Sequence, residues 1–100
     1  STALPGGLAL LHPRHHDPYM FSDSFMVLGR TVQPVPFGAP DGRTTDLFFL
    51  ICSQYDRLHL HLLTRICRMV QQTSLLESLR EAPDGGAMLV AISEAEAKVV

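Results

Sequence analysis

Residues 45–53, TDLFFLICS, form a continuous aromatic and branched run, and two residues later DRLHLHLLTRICRMVQQ (56–72) changes period. The first suits a strand covered on both faces. The second carries the pattern of an amphipathic helix, with Asp56 as its expected N-cap and His59 as its third residue. A buried strand that feeds a helix through so short a link restricts the architecture. An α/β sandwich, a mixed β-sheet with helices packed on its faces, is expected.

The flanking segments agree with that layering. Leu8–Leu11 reads as a short strand entered through two glycines, and DPYMFSDS (17–24) reads as loop. FMVLGRTV (25–32) has strand composition, and Pro34 and Pro36 are expected to end any central pairing. GAPDGR (38–43) places Pro, Asp and Gly in the order a tight turn requires. A short helix is expected over residues 74–81 with Ser74 as its cap. PDGGAMLVAISEAEAK should hold a last helix, although Ala87–Ile92 alone also fits a strand. The opening STALPGG has no preceding element, so the segment reads as starting inside a larger domain.

With 46% apolar and 18% charged residues, 100 residues are enough for one small domain with a real core. The longest apolar run, Leu47 to Cys52, is far too short to span a bilayer, and no signal-peptide pattern opens the chain. No membrane insertion is expected. The formal net charge is −2 with no basic block, which argues against nucleic-acid binding by this segment. Cys52 and Cys67 lack the spacing of a redox or zinc motif and read as reduced core thiols.

The histidines carry the functional question. GGLALLHPRHH (6–16) ends an apolar run in His12, with His15 and His16 close behind. On a helical wheel centred on His59, Leu63, Ile66 and Val70 fall within about 40°, whereas His61 lies on the far side with Arg57, Thr64 and Arg68. His59 is therefore centred on the apolar face, and His61 reads as a solvated surface residue. A lone histidine on such a face is often a satisfied core residue. In the first turn, however, it lies beside unpaired N–H groups and the positive end of the helix dipole, a setting that favours a nearby anion. The residues leave three readings of the cluster open: a phosphoryl-carrying imidazole, a His-only metal site built from the loop plus His59, or a histidine-rich loop.

GLALLHPR, PVPFGAPDGRTTDLFFLICS and HLHLLTRICRMV, taken in that order, resemble the fructose/mannitol-type IIA domain of the bacterial phosphotransferase system, a group that includes nitrogen-regulatory IIA proteins. The resemblance runs from Ser1 to about Ile92. HPR, FGAPDG and HLHLL are closest to members attached to a helix-turn-helix segment. The family's domain begins well before this Ser1, so residues 1–100 are expected to be the C-terminal two-thirds of a single domain of this type. Leu11 stands where the family usually has proline.

The resemblance implies a role for each residue. His12 takes a phosphoryl group from a histidine phosphocarrier protein and passes it to the cysteine of a IIB-type domain; His59 stabilises it. Arg14 is a candidate for the arginine that the family supplies from its upstream part. His15 and His16 are rim residues. Neither cofactor nor metal is implied, because the donor is another phosphohistidine. A cytoplasmic bacterial protein in sugar transport or nitrogen regulation follows from the same likeness. The rival role it leaves is a regulatory domain whose phosphorylation state controls partner binding. If His12 ends a strand beside Leu47–Cys52, the two imidazoles should lie within reach of one phosphoryl group, about 4–7 Å apart nitrogen to nitrogen.

Overall fold

The structure, a computed structural model, describes residues 3–12 and 24–99. Among the described residues, four strands and three helices follow in order: β1 (Ala3–Leu4), β2 (Leu8–Leu11), β3 (Phe25–Val35), β4 (Thr45–Cys52), α1 (Asp56–Gln72), α2 (Leu75–Glu81) and α3 (Gly85–Lys98). The sheet order is β1-β2-β4-β3. β1 and β2 are antiparallel, β2 and β4 parallel, and β4 and β3 antiparallel, so the sheet is mixed, as expected of the α/β class. The chain divides into two compact units, Ser1–Leu60 and His61–Val100, with the boundary inside α1.

In the first unit, β4 is an inner strand, paired with β2 on one side and β3 on the other. Thr45, Leu47, Phe49 and Ile51 alternate onto one face and are fully buried. Each large aliphatic or aromatic side chain so buried contributes about 1.5–3 kcal/mol of transfer free energy. Phe48 and Leu50, on the other face, are half-buried, and Phe48 meets the Phe37 ring edge-on at 5.4 Å. The expectation of a strand covered on both faces is corrected accordingly: this face retains exposure at Phe25 and Val27, which pair with Cys52 and Leu50.

Two further corrections concern strand ends. β1, absent from the sequence reading, folds back on β2 through Gly6 and Gly7, whose φ values of 92° and 81° permit the reversal. β3 continues through Pro34 to Val35, which pairs with Thr45 after an irregularity between Arg30 and Val35. The regular ladder does stop at Arg30. Proline is tolerated beyond it because β3 is, among the described residues, an edge strand that bonds on one side only.

The second unit holds the rest of α1 with α2 and α3. Ser74 occupies the N-cap position of α2, but its side chain makes no capping bond. The Thr73 hydroxyl takes that role instead, accepting the Leu75 N–H at 3.2 Å and donating to the Met69 carbonyl at the end of α1. Residues 85–98 are helical throughout, which settles the choice at Ala87–Ile92. Asp84 caps that helix by accepting the Ala87 N–H at 2.8 Å. Arg65 of α1 donates to the Glu96 carbonyl at 3.3 Å. Both cysteines are free thiols.

Candidate active site

Parallel strands end at the same edge of a sheet, and the register of β2 with β4 pairs Leu11 with Leu50. His12, the next residue, is exposed just beyond the carboxyl end of β2. β4 runs two residues past Leu50, and the link 53–55 then turns into α1. Open α/β sheets bind ligands at this edge, where strand ends and helix N-termini converge.

The structure brings His12 and His59 together there. Their ring centroids are 5.2 Å apart and the planes meet at 80°, the edge of one imidazole toward the face of the other. That spacing is far inside the roughly 12 Å beyond which one phosphoryl group cannot join two side chains. His59 is half-buried and His61 exposed, as the helical wheel implies. Arg14, His15 and His16 lie outside the described residues.

The start of α1 differs by one residue from expectation. The His59 N–H donates to the Tyr55 carbonyl at 3.1 Å, so Tyr55 accepts the first helical bond. Asp56 is then the first helical residue rather than the N-cap, and His59 is the fourth. Sequence favoured Asp56 because its side chain is a good cap; the tertiary link sets the boundary one position earlier. His59 remains in the first turn, where the amides of Asp56, Arg57 and Leu58 have no acceptor within the helix.

The link itself is tied at two points that sequence reasoning missed. The Ser24 hydroxyl accepts the Gln54 N–H at 2.9 Å, and the Ser53 hydroxyl donates to the Tyr55 carbonyl at 3.3 Å. Ser53 is buried. Its place at the end of the TDLFFLICS run was the available signal; Ser24, 30 residues from its partner, gave none.

Chemically, the pair sets the exposed imidazole of His12 beside a half-buried second imidazole that lies in the first turn of a helix, at the positive end of its dipole. Among the described residues, no three His, Cys, Asp or Glu side chains converge in a way that would hold a metal ion. No helix among them is long and apolar enough to cross a membrane.

The nitrogen regulatory protein IIA-Ntr from Neisseria meningitidis has a similar solved structure, with a TM-score of 0.78 and 29% sequence identity. The match covers 92% of this chain and 62% of that one, so the chain spans less than two-thirds of its relative's length. No curated protein sequence matches at a significant level. The family model described as phosphoenolpyruvate-dependent sugar phosphotransferase system, EIIA 2, matches residues 1–95. With that match over nearly its whole length, the chain belongs to the type 2 EIIA family of the phosphoenolpyruvate-dependent sugar phosphotransferase system.

Proposed function

We propose that this protein is a phosphohistidine carrier, that His12 is its phosphoryl acceptor, and that the chain is the C-terminal two-thirds of the carrier domain. The observation that supports this most directly is the 5.2 Å approach of His12 and His59 at the carboxyl edge of the parallel pair. Transfer of a phosphoryl group needs a lone pair in line with the bond that breaks, and donors for the equatorial oxygens. In the proposed step, a phosphohistidine of a phosphocarrier protein is the donor. The ring nitrogen of His12 attacks phosphorus, the donor's N–P bond breaks, and its electron pair returns to the donor imidazole. His59 offers an N–H to the charge that reaches this site, and the first turn of α1 adds its dipole. A IIB-type cysteine thiolate then attacks the same phosphorus and releases His12. The exposure of His12 suits both exchanges. The cytoplasm, where the phosphoenolpyruvate-fed relay operates, is the compartment that goes with this role.

The test is incubation with the upstream relay proteins and labelled phosphoenolpyruvate. Acid-labile, base-stable label is expected on the wild type and none on His12→Ala. Label that persists in His12→Ala overturns the assignment.

The similarity to a nitrogen regulatory protein favours a second reading of the output. Here phosphate on His12, adding about −1.5 to −2 charge, changes binding to a regulatory partner instead of feeding sugar uptake. A IIB-type domain that fails to discharge labelled protein, while phosphorylation alters capture of a regulator, would select it.

A further inference from the structure

We propose that Ser24 and Ser53 are positioning residues that hold His59 against His12 by fixing the backbone of the link 53–55. The inference rests on the reading of His12 and His59 as the phosphoryl-handling pair. Phe25, the first residue of β3, pairs with Cys52, the last of β4. Ser24 and Gln54 therefore both lie just beyond the same end of the antiparallel ladder, and the Ser24 hydroxyl ties them together by accepting the Gln54 N–H at 2.9 Å. On the other side of that peptide, the Ser53 hydroxyl donates to the Tyr55 carbonyl. The same carbonyl accepts the His59 N–H at 3.1 Å.

A carbonyl oxygen has two lone pairs, so both bonds are compatible. One hydroxyl thus orients the acceptor that opens α1, and the other anchors the peptide before it. Burial makes the Ser53 bond more than decoration. Ser53 and Thr45 are both buried polar residues on or just after β4, yet among the described residues the Thr45 hydroxyl has no hydrogen-bond partner whereas that of Ser53 has one. The link has three residues in which to reverse direction from strand to helix. A small rotation in it swings the first turn, and His59 with it, away from the strand end that carries His12. Phosphoryl transfer is sensitive to displacements on the order of 1 Å.

The experiment measures the rate of His12 labelling and the nuclear Overhauser contact between the two imidazoles in Ser24→Ala, Ser24→Thr and Ser53→Ala. Wild-type protein that takes no label on His12 defeats the underlying reading. Wild-type labelling with unchanged Ser→Ala variants defeats only the positioning role. The expected result is an approximately five- to tenfold slower rate in each alanine variant. A weakened ring–ring contact should accompany it, with the amide spectrum of β2 and β4 retained. Ser24→Thr, which keeps the accepting oxygen, should restore both readouts. If Ser53→Ala does not fold, Ser24 decides the matter alone, and a Ser24→Ala variant with normal rate and normal ring contact overturns the proposal.

Discussion

At the amino ends of β2 and β4 a carboxylate closes the loops, whereas at their carboxyl ends hydroxyls hold the backbone and two imidazoles meet edge to face. Asp41 accepts the Gly6 N–H at 3.0 Å with one oxygen and the Arg43 N–H at 3.1 Å with the other. The Gly7 carbonyl in turn accepts the amides of Asp46 and Leu47. At the opposite edge, Ser24 and Ser53 do the equivalent work without charge. Under the proposed function, the difference suits what each end would have to tolerate. A carboxylate used as a clamp beside His12 would repel an incoming phosphoryl group carrying about −1.5 to −2 charge; a hydroxyl does not. One end of the strand pair is fastened by a carboxylate, the other by neutral hydroxyls.

The largest separation of the two ends is expected from His59→Ala. Loss of one preorganised donor to a phosphoryl group should slow labelling of His12 by about a hundredfold. The half-buried ring contributes modestly to stability, so the melting temperature should fall little. Rapid-quench labelling beside thermal melting checks both statements. A normal rate would remove His59 from the chemistry and leave it a packing residue.

How far this contrast was legible in the sequence depends on the range of the interactions. β4 and α1 could be read because each carries a full periodic pattern, and the same pattern put His59 on the apolar face before any neighbour was known. β1 could not: two residues carry no period, and their pairing depends on Gly6 and Gly7 at positive φ. Pro34 is expected to end central pairing, and the sequence does not say that β3 is an edge strand, where proline is tolerated and the strand runs on to Val35. Ser74 and Thr73 compete for the same cap, and composition does not say which hydroxyl reaches the amide. The approach of His12 to His59 needed the family resemblance, because nothing local states that β2 lies parallel to β4. The Ser24–Gln54 bond joins residues 30 apart and was invisible.

A smaller effect, confined to the amino end, is expected from Gly42→Ala. Gly42 donates its N–H to the Ala39 carbonyl at 3.0 Å and has φ of 72°, with nothing near the position of an added Cβ. The cost is therefore conformational rather than steric, about 1 kcal/mol for an L-residue in the left-handed region. Denaturant unfolding should show that loss, while the His12 labelling rate stays within twofold of wild type. A rate that falls in step with stability would show that the two ends of the strand pair are coupled.

The smallest effect should come from Asp41→Asn, and it sharpens the comparison through pH. The Gly6 N–H, then the Arg43 N–H, holds the Asp41 carboxyl below its ordinary value of 3.8, and the Arg43 charge adds to this. Both bonds favour the ionised form, so the stability they contribute is full above the unfolded value. It is lost as pH falls through the lowered folded value, where the native state must take up the proton. Asparagine resembles the protonated acid in charge: it keeps an accepting oxygen for one amide but presents an NH₂ group to the other. Asp41→Asn should therefore be slightly less stable than wild type at neutral pH and converge with it in acid. Unfolding midpoints from pH 7 downward measure the gap. Because Asp41 is exposed, added salt should narrow that gap by screening the Arg43 contribution, while the two backbone bonds persist. A gap that stays constant through the acid range would show that the carboxylate is no clamp, and that the amino end is held by its turn geometry alone.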